Sequence, residues 1–192
     1  KPKDGTDYKL DYLAKLAIAG GIFDLNSPAI RKDFLDAVRK NTIEDFFEKH
    51  VFKAAKKDLA THYDSKELRS FLNTYVYSGE KEVLVYLFDN NCESIFDLYF
   101  IQAMRRVNPN LIIYLVPTEG QVSNDFSVRD LKGTLNDETG RFVFKDLIKD
   151  LEYLTTDDIK INSSKKVKVI TKGPMLQGID LAHLSMQLKT VL

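Results

Sequence analysis

KEVLVYLFDNNCESIFDLYFIQAMRR, residues 81–106, decides the fold. Its first eight residues form a continuous β-branched and apolar run between Gly79 and Asp89, the pattern of a strand buried on both faces. From Ser94 to Arg106 the apolar spacing is helical, and the pattern stops at Asn108-Pro109. NLIIYLVP (110–117) is a second buried run. Strand, helix and strand at this spacing form a β-α-β unit, which requires parallel strands. KKVKVITKG (165–173) extends the series as a third strand, with IDLAHLSMQLKTVL as the helix after it. The amphipathic stretch FVFKDLIKDLEYL (142–154) reads as the crossover helix between the second and third strands.

Upstream, the period is helical throughout. Residues 8–19 have apolar positions at helical spacing and end at Gly20-Gly21. Ser27-Pro28 opens a second helix to Lys40, Thr42 a third over 43–60, and Ser65 a fourth over about 66–77. Residues 1–80 are therefore expected as a helical region joined to an α/β core over 81–192, with 131–164 as an insertion. The chain lacks an initiator Met and stops within a helical pattern, so both ends read as cut from a longer protein.

Composition narrows the function. Lys+Arg 28 balance Asp+Glu 28, which disfavours a general nucleic-acid or membrane-surface binder. No apolar run reaches the roughly 18 residues of a membrane span. A single cysteine, Cys92, excludes an internal disulfide framework and fits a reducing, cytoplasmic setting. His50, His62 and His183 share no metal-ligand spacing. GPMLQG lacks the Lys-Ser/Thr of a P-loop, and no G-x-G-x-x-G follows a strand, so no organic cofactor is indicated.

Ligands of parallel sheets bind beyond the carboxyl ends of the strands. Asp89 and Asn90 end the first strand, Asn124 and Asp125 lie in the loop after the second, and Gly173 to Gly178 follow the third. All three groups fall on one edge. Carboxylates with an amide oxygen form a hard donor set suited to Mg²⁺ or Mn²⁺. A helix opening near Ser94 turns backbone N–H groups toward the same crevice and favours an anion. Asp-Asn after a strand is also a common turn pair whose side chains bond to local backbone. The loop position of Asp125 predicts that Asp125→Asn changes stability little.

Together these motifs resemble the metal-dependent damage-control phosphatases, long called domain of unknown function 89. Its Asp-Asn-x-Gly-Glu-x-x-Phe-Asp pattern is matched by DNNCESIFD at Asp89, Asn90, Glu93, Phe96 and Asp97. Its Asn-Asp with a later Asp is matched by Asn124, Asp125 and Asp130, and its Ala-Gly-Asn-x-x-Asp-Phe is echoed at Gly20 and Asp24. A Gly-rich turn leading to Asp-Leu looks like TKGPMLQGIDL. The resemblance implies a three-layer α-β-α sandwich with a mainly parallel, Rossmann-like sheet preceded by a helical region. It implies hydrolysis of small phosphorylated metabolites, such as sugar phosphates or pantetheine- and nucleotide-like phosphates, with a divalent metal (Mg, Mn, Co or Ni). Asp89, Asn90 and Asp125 would be metal ligands and Glu93 and Asp24 catalytic carboxylates; Asn124, Gly20 and Asp130 would meet substrate.

This sequence departs from that pattern at several points. Cys92 stands at a usual Gly and Gly21 at an Asn, VPTEGQVSND lacks basic residues before Asn124, and the later Lys-Gly-x-Gly-Asn motif is absent. Two alternatives stay open at this stage. One is a non-catalytic homologue acting as a binding module. The other is a methyltransferase holding S-adenosylmethionine at the same sheet edge. Metal-dependent turnover separates the phosphatase from both.

Overall fold

The computed structural model of the protein describes residues 7–20, 27–53, 65–120, 122–132, 151–153 and 166–170. Its centre is the expected β-α-β unit. Strand β1 (Val83–Leu87) leads through helix α5 (Ser94–Val107) to β2 (Ile112–Val116). The strands pair in parallel from Val83↔Ile112 to Leu87↔Val116. β4 (Val167–Val169) pairs in parallel with β2, and β3 (Leu151–Tyr153) in parallel with β4. The sheet order is β1-β2-β4-β3, all parallel, and the fold is α/β.

β3 corrects one expectation. Leu151–Tyr153 closes the stretch read as a crossover helix, yet it is a strand. Three residues carry too little periodicity to distinguish the two, and pairing with β4 decides the conformation. β3 also lies inside the stretch expected as an insertion, as do the last residues of helix α6 (Val128–Lys132). The remainder of 131–164 lies outside the described residues.

Alternation along the strands builds two faces. Ile113, Leu115, Val167 and Val169, with Leu84 and Tyr86 beside them, pack against Leu98, Ile101 and Met104 of α5. Val116 and Ile170, with Val85 and Tyr114, form a separate cluster on the other face. Helix α1 (Asp7–Gly20) lies on α5 and sends Leu10 and Ala14 into the first core. The N-terminal helices therefore share a core with the sheet.

α2 (Pro28–Lys40) starts at Ser27-Pro28 as expected, though the Ser27 hydroxyl makes no capping bond. It ends at Asn41 in the left-handed region, φ 55°. The Thr42 N–H bonds back to Ala37 O at 2.9 Å, satisfying a terminal carbonyl. α3 (Ile43–Phe47) continues as a π-helical turn, Glu48–Phe52. α4 (Ser65–Phe71) likewise runs into a π turn, Leu72–Val76. The π turn of α4 aims Leu72 and Val76 into the main core. Phe46, Val51, Leu16, Cys92 and Phe96 form a second cluster beside it.

At the amino edge of the sheet, buried Asn108 ties the chain together. Its Nδ2 donates to Tyr75 O at 3.3 Å and Glu80 O at 2.9 Å. Arg105 Nη1 donates to Leu111 O at 2.7 Å and closes the end of α5. That edge is occupied by structural bonding.

Candidate active site

Beyond β1 the chain runs Phe88-Asp89-Asn90-Asn91, and the loop after β2 returns to meet it. The Phe126 N–H donates to Asp89 O at 2.7 Å, and the Asn91 N–H to Asn124 O at 2.7 Å. Between these bonds Asn90 faces Asp125 in an antiparallel bridge. Phe88 and Phe126 pack with ring centroids 4.6 Å apart and planes tilted by 45°, and anchor the junction. The structure thus brings Asp89, Asn90, Asn124 and Asp125 together. A left-handed Ser123, φ 49°, makes the turn that returns the loop.

Thr118 holds the other side of that loop. Its N–H and hydroxyl both donate to Phe126 O, at 2.9 and 3.0 Å, and its carbonyl accepts from the Val128 N–H at 3.0 Å. In a stretch without basic residues, this buried Thr118 serves as a scaffold. Asp130 is fully buried and forms a capping box with Ser127. Its Oδ2 accepts from the Ser127 N–H at 2.7 Å and from Ser127 Oγ at 2.6 Å. The described contacts of Asp130 therefore serve the loop carrying Asn124 and Asp125.

Glu93 has a comparable local bond: its Oε1 accepts the Asn90 N–H at 3.1 Å, as an N3 carboxylate does. Asn90 O then receives both the N–H and the hydroxyl of Ser94, the latter at 2.7 Å. So Asn90-x-x-Glu93 forms the hydrogen-bonded turn that leads into α5. Gly20 ends α1 directly against this turn. A Cβ at Gly20 would lie 3.1 Å from Glu93 Cβ and 3.2 Å from Phe96 Cδ2. Glycine lets α1 close on Glu93. Asp24 and Gly173 to Gly178 lie outside the described residues.

An open cleft of about 440 Å³ separates α1 from the end of β1. Asp89, Glu93, Asp97 and Tyr86 line one side, and Ala14, Ala17 and Ile18 the other. Of the four polar lining residues, Tyr86 and Asp97 were not singled out as site residues from sequence. Tyr86 Oη donates to Asp97 Oδ1 at 2.8 Å. Burial, followed by repulsion from Glu93 and Asp89, pushes the Asp97 carboxyl up to about 7 despite the Tyr86 bond. Burial and the Asp97 carboxylate push Tyr86 up as well. The sequence signal was the four-residue spacing of Glu93 and Asp97, which places both on one face of α5.

Asp89 is exposed, Asn90 half-buried and Asp125 only 2% exposed. The burial of Asp125 overturns the argument that its loop position makes it neutral for stability. The donor set fits a hard divalent cation: two carboxylates and a carboxamide on chain segments bonded to each other. The Asn90 carboxamide nitrogen turns to Asp89 Oδ2 at 3.4 Å, which leaves its oxygen for a cation. Among the described residues no three His, Cys, Asp or Glu side chains converge, so a site built from those types alone is not found there.

The sequence model of the Damage-control phosphatase ARMT1-like domain matches residues 2–192. The chain belongs to that family. It is 28% identical over 137 residues to Damage-control phosphatase PH1575 of Pyrococcus horikoshii, covering 70% of this chain and 40% of that one. The crystal structure of PH1575, a DUF89 family protein, superposes with a TM-score of 0.52 at 24% identity, over 94% of this chain and 47% of the other. That superposition supports the fold. The chain spans less than half the length of the relative it matches. Among the described residues of this ARMT1-like domain, no helix is long and apolar enough to cross a membrane.

Proposed function

We propose that this ARMT1-like domain takes part in metal-dependent hydrolysis of phosphate monoesters of small metabolites, in metabolite damage control. Family membership supports phosphatase chemistry. The observation that carries the reading to these residues is the backbone bonding of Asp89–Asn91 to Asn124–Phe126. It joins two family-matching motifs at the carboxyl edge, beside a cleft of metabolite size. Cys92 is the single cysteine of the sequence and is buried, which accords with a reducing, cytoplasmic setting.

Asp89, Asn90 and Asp125 would hold the divalent ion, Mg²⁺, Mn²⁺, Co²⁺ or Ni²⁺. Such an ion supplies Lewis-acid polarisation of a phosphoryl oxygen and acidifies a water. The chain's own residues do the rest. Glu93, buried on the cleft wall, takes the proton of the attacking water as general base. Asn90 keeps Glu93 in place through its N–H. Gly20 lets α1 form the opposite wall without displacing Glu93, and Asp24 is a further candidate carboxylate for the crevice. Asn124 would meet substrate beside Asp125, while Asp130 supports their loop. The family match leaves the methyltransferase alternative without a supporting observation.

The test is hydrolysis of p-nitrophenyl phosphate with each metal and with EDTA, beside Asp125→Asn. Turnover that requires metal and disappears in the variant is expected. Full activity in EDTA, or in Asp125→Asn, would overturn the ligand assignment. A folded protein that binds phosphorylated ligands without turnover would identify the binding-module alternative.

A further inference from the structure

We infer that the cleft selects substrates by charge: it favours phosphate monoesters whose alcohol part is cationic or neutral and rejects those carrying a second anion. This deepens the phosphatase reading and rests on it. The cleft wall contributed by β1 and α5 presents Asp89, Glu93 and Asp97. The facing wall is apolar, with Ala14, Ala17 and Ile18 of α1 joined by Leu68 of α4, while Val85, Leu87 and Phe100 add apolar surface on the acidic side. Among the described lining residues there is no Lys, Arg or His.

A cation held by Asp89, Asn90 and Asp125 would engage the phosphoryl group. The alcohol part then extends between the apolar wall and the Glu93–Asp97 face of α5. Glu93 and Asp97 are both only 8% exposed, so solvent screens them poorly and their field reaches into the cleft. A carboxylate or second phosphate on the substrate would be repelled by that field. An ammonium or a hydroxyl would not, and Asp97, held by Tyr86, can accept a hydrogen bond from either. Asp97 is in this sense a specificity-determining residue.

The experiment compares kcat/KM of the Mn²⁺-loaded protein on phosphoethanolamine, glycerol phosphate and phosphoglycolate at pH 8, where Asp97 carries its charge. The expected order is cationic, neutral, anionic, with about tenfold or more between the extremes. Asp97→Asn should reduce that ratio severalfold, and 0.5 M salt, on the order of a few-ångström Debye length, should compress it. Ile18→Lys places a cation on the half-exposed α1 wall and should move the ratio toward the anionic substrate. Equal or better turnover of phosphoglycolate, while p-nitrophenyl phosphate is hydrolysed, overturns charge selection and leaves the phosphatase reading standing. If p-nitrophenyl phosphate is not hydrolysed, the phosphatase reading fails. Calorimetric binding of 2-aminoethylphosphonate against 3-phosphonopropionate then decides the cleft's preference alone, and equal affinity overturns it.

Discussion

Asn90 and Asp125 face each other across an antiparallel bridge formed outside the main sheet, flanked by the 2.7 Å bonds from Phe126 to Asp89 and from Asn91 to Asn124. The bridge couples a strand end to a loop, so the residues proposed as metal ligands are held together by backbone bonding. Preorganisation of this kind keeps a ligand set together before any ion arrives.

Asp125→Asn should abolish Mn²⁺ binding, measured by calorimetry, because it removes one of two carboxylates from the donor set. The substitution preserves shape in a buried position, so the urea midpoint should move modestly. Asp125→Ala, which leaves neighbouring polar groups without their partner, should cost about 1–3 kcal/mol. Wild-type Mn²⁺ affinity in Asp125→Asn would remove Asp125 from the ligand set.

Gly20→Ala tests the closure of α1 on Glu93. The added methyl group would sit 3.1 Å from Glu93 Cβ and 3.2 Å from Phe96 Cδ2, tighter than ordinary contact, so α1 or α5 must shift. Overpacking of this sort costs about 1–3 kcal/mol. Turnover should fall further than stability suggests, because the displaced residue is the proposed general base. Unchanged stability and turnover would show that the helices adjust freely and that Gly20 has no special place.

Asp97 ties stability to pH. Its carboxyl titrates near 3.8 in an unfolded chain and at about 7 in the folded protein. Between those values the folded protein keeps a proton that the unfolded chain has released. The stabilisation is therefore complete below 3.8 and is lost as pH rises through about 7, at no more than about 1.4 kcal/mol per pH unit. Asp97→Asn cannot ionise, so in EDTA its stability relative to wild type should rise from pH 5 to pH 8. Urea unfolding at the two pH values checks this; an identical difference at both would mean that Asp97 is not raised.

Much of the architecture was legible because long apolar runs mark the strands of a covered sheet, and NLIIYLVP is largely buried as β2. KEVLVYLF forms a strand as expected but is not buried on both faces: β1 lies at the edge of the described sheet, with Val83 and Leu87 exposed. The convergence of Asp89 with Asp125 on one edge followed from parallel strands alone. The bridge between them did not, since it depends on a left-handed Ser123 and on backbone bonds that no side-chain pattern encodes. β3 was missed because it is three residues long and its conformation depends on β4. Asp97 was matched as part of a motif, but its burial and its bond to Tyr86 arise from tertiary packing. The spacing of Asn124, Asp125 and Asp130 cannot by itself distinguish a capping carboxylate from one that meets substrate.

Asp130 therefore provides the last test. In Ser127-Val128-Arg129-Asp130 the carboxylate accepts two bonds from Ser127, and the Asp130 N–H returns one to Ser127 Oγ at 3.4 Å. Replacing Asp130 by Ala leaves the buried Ser127 donors without this acceptor and should cost about 1–3 kcal/mol. Ser127→Ala should cost less, and the double variant should cost less than the sum, because both act through one capping box. A purely supporting role predicts that KM for p-nitrophenyl phosphate stays within about twofold under conditions where each variant remains folded, since a twofold change is only ~0.4 kcal/mol. A tenfold rise in KM with wild-type stability would instead place Asp130 against the substrate and require the loop to open around it.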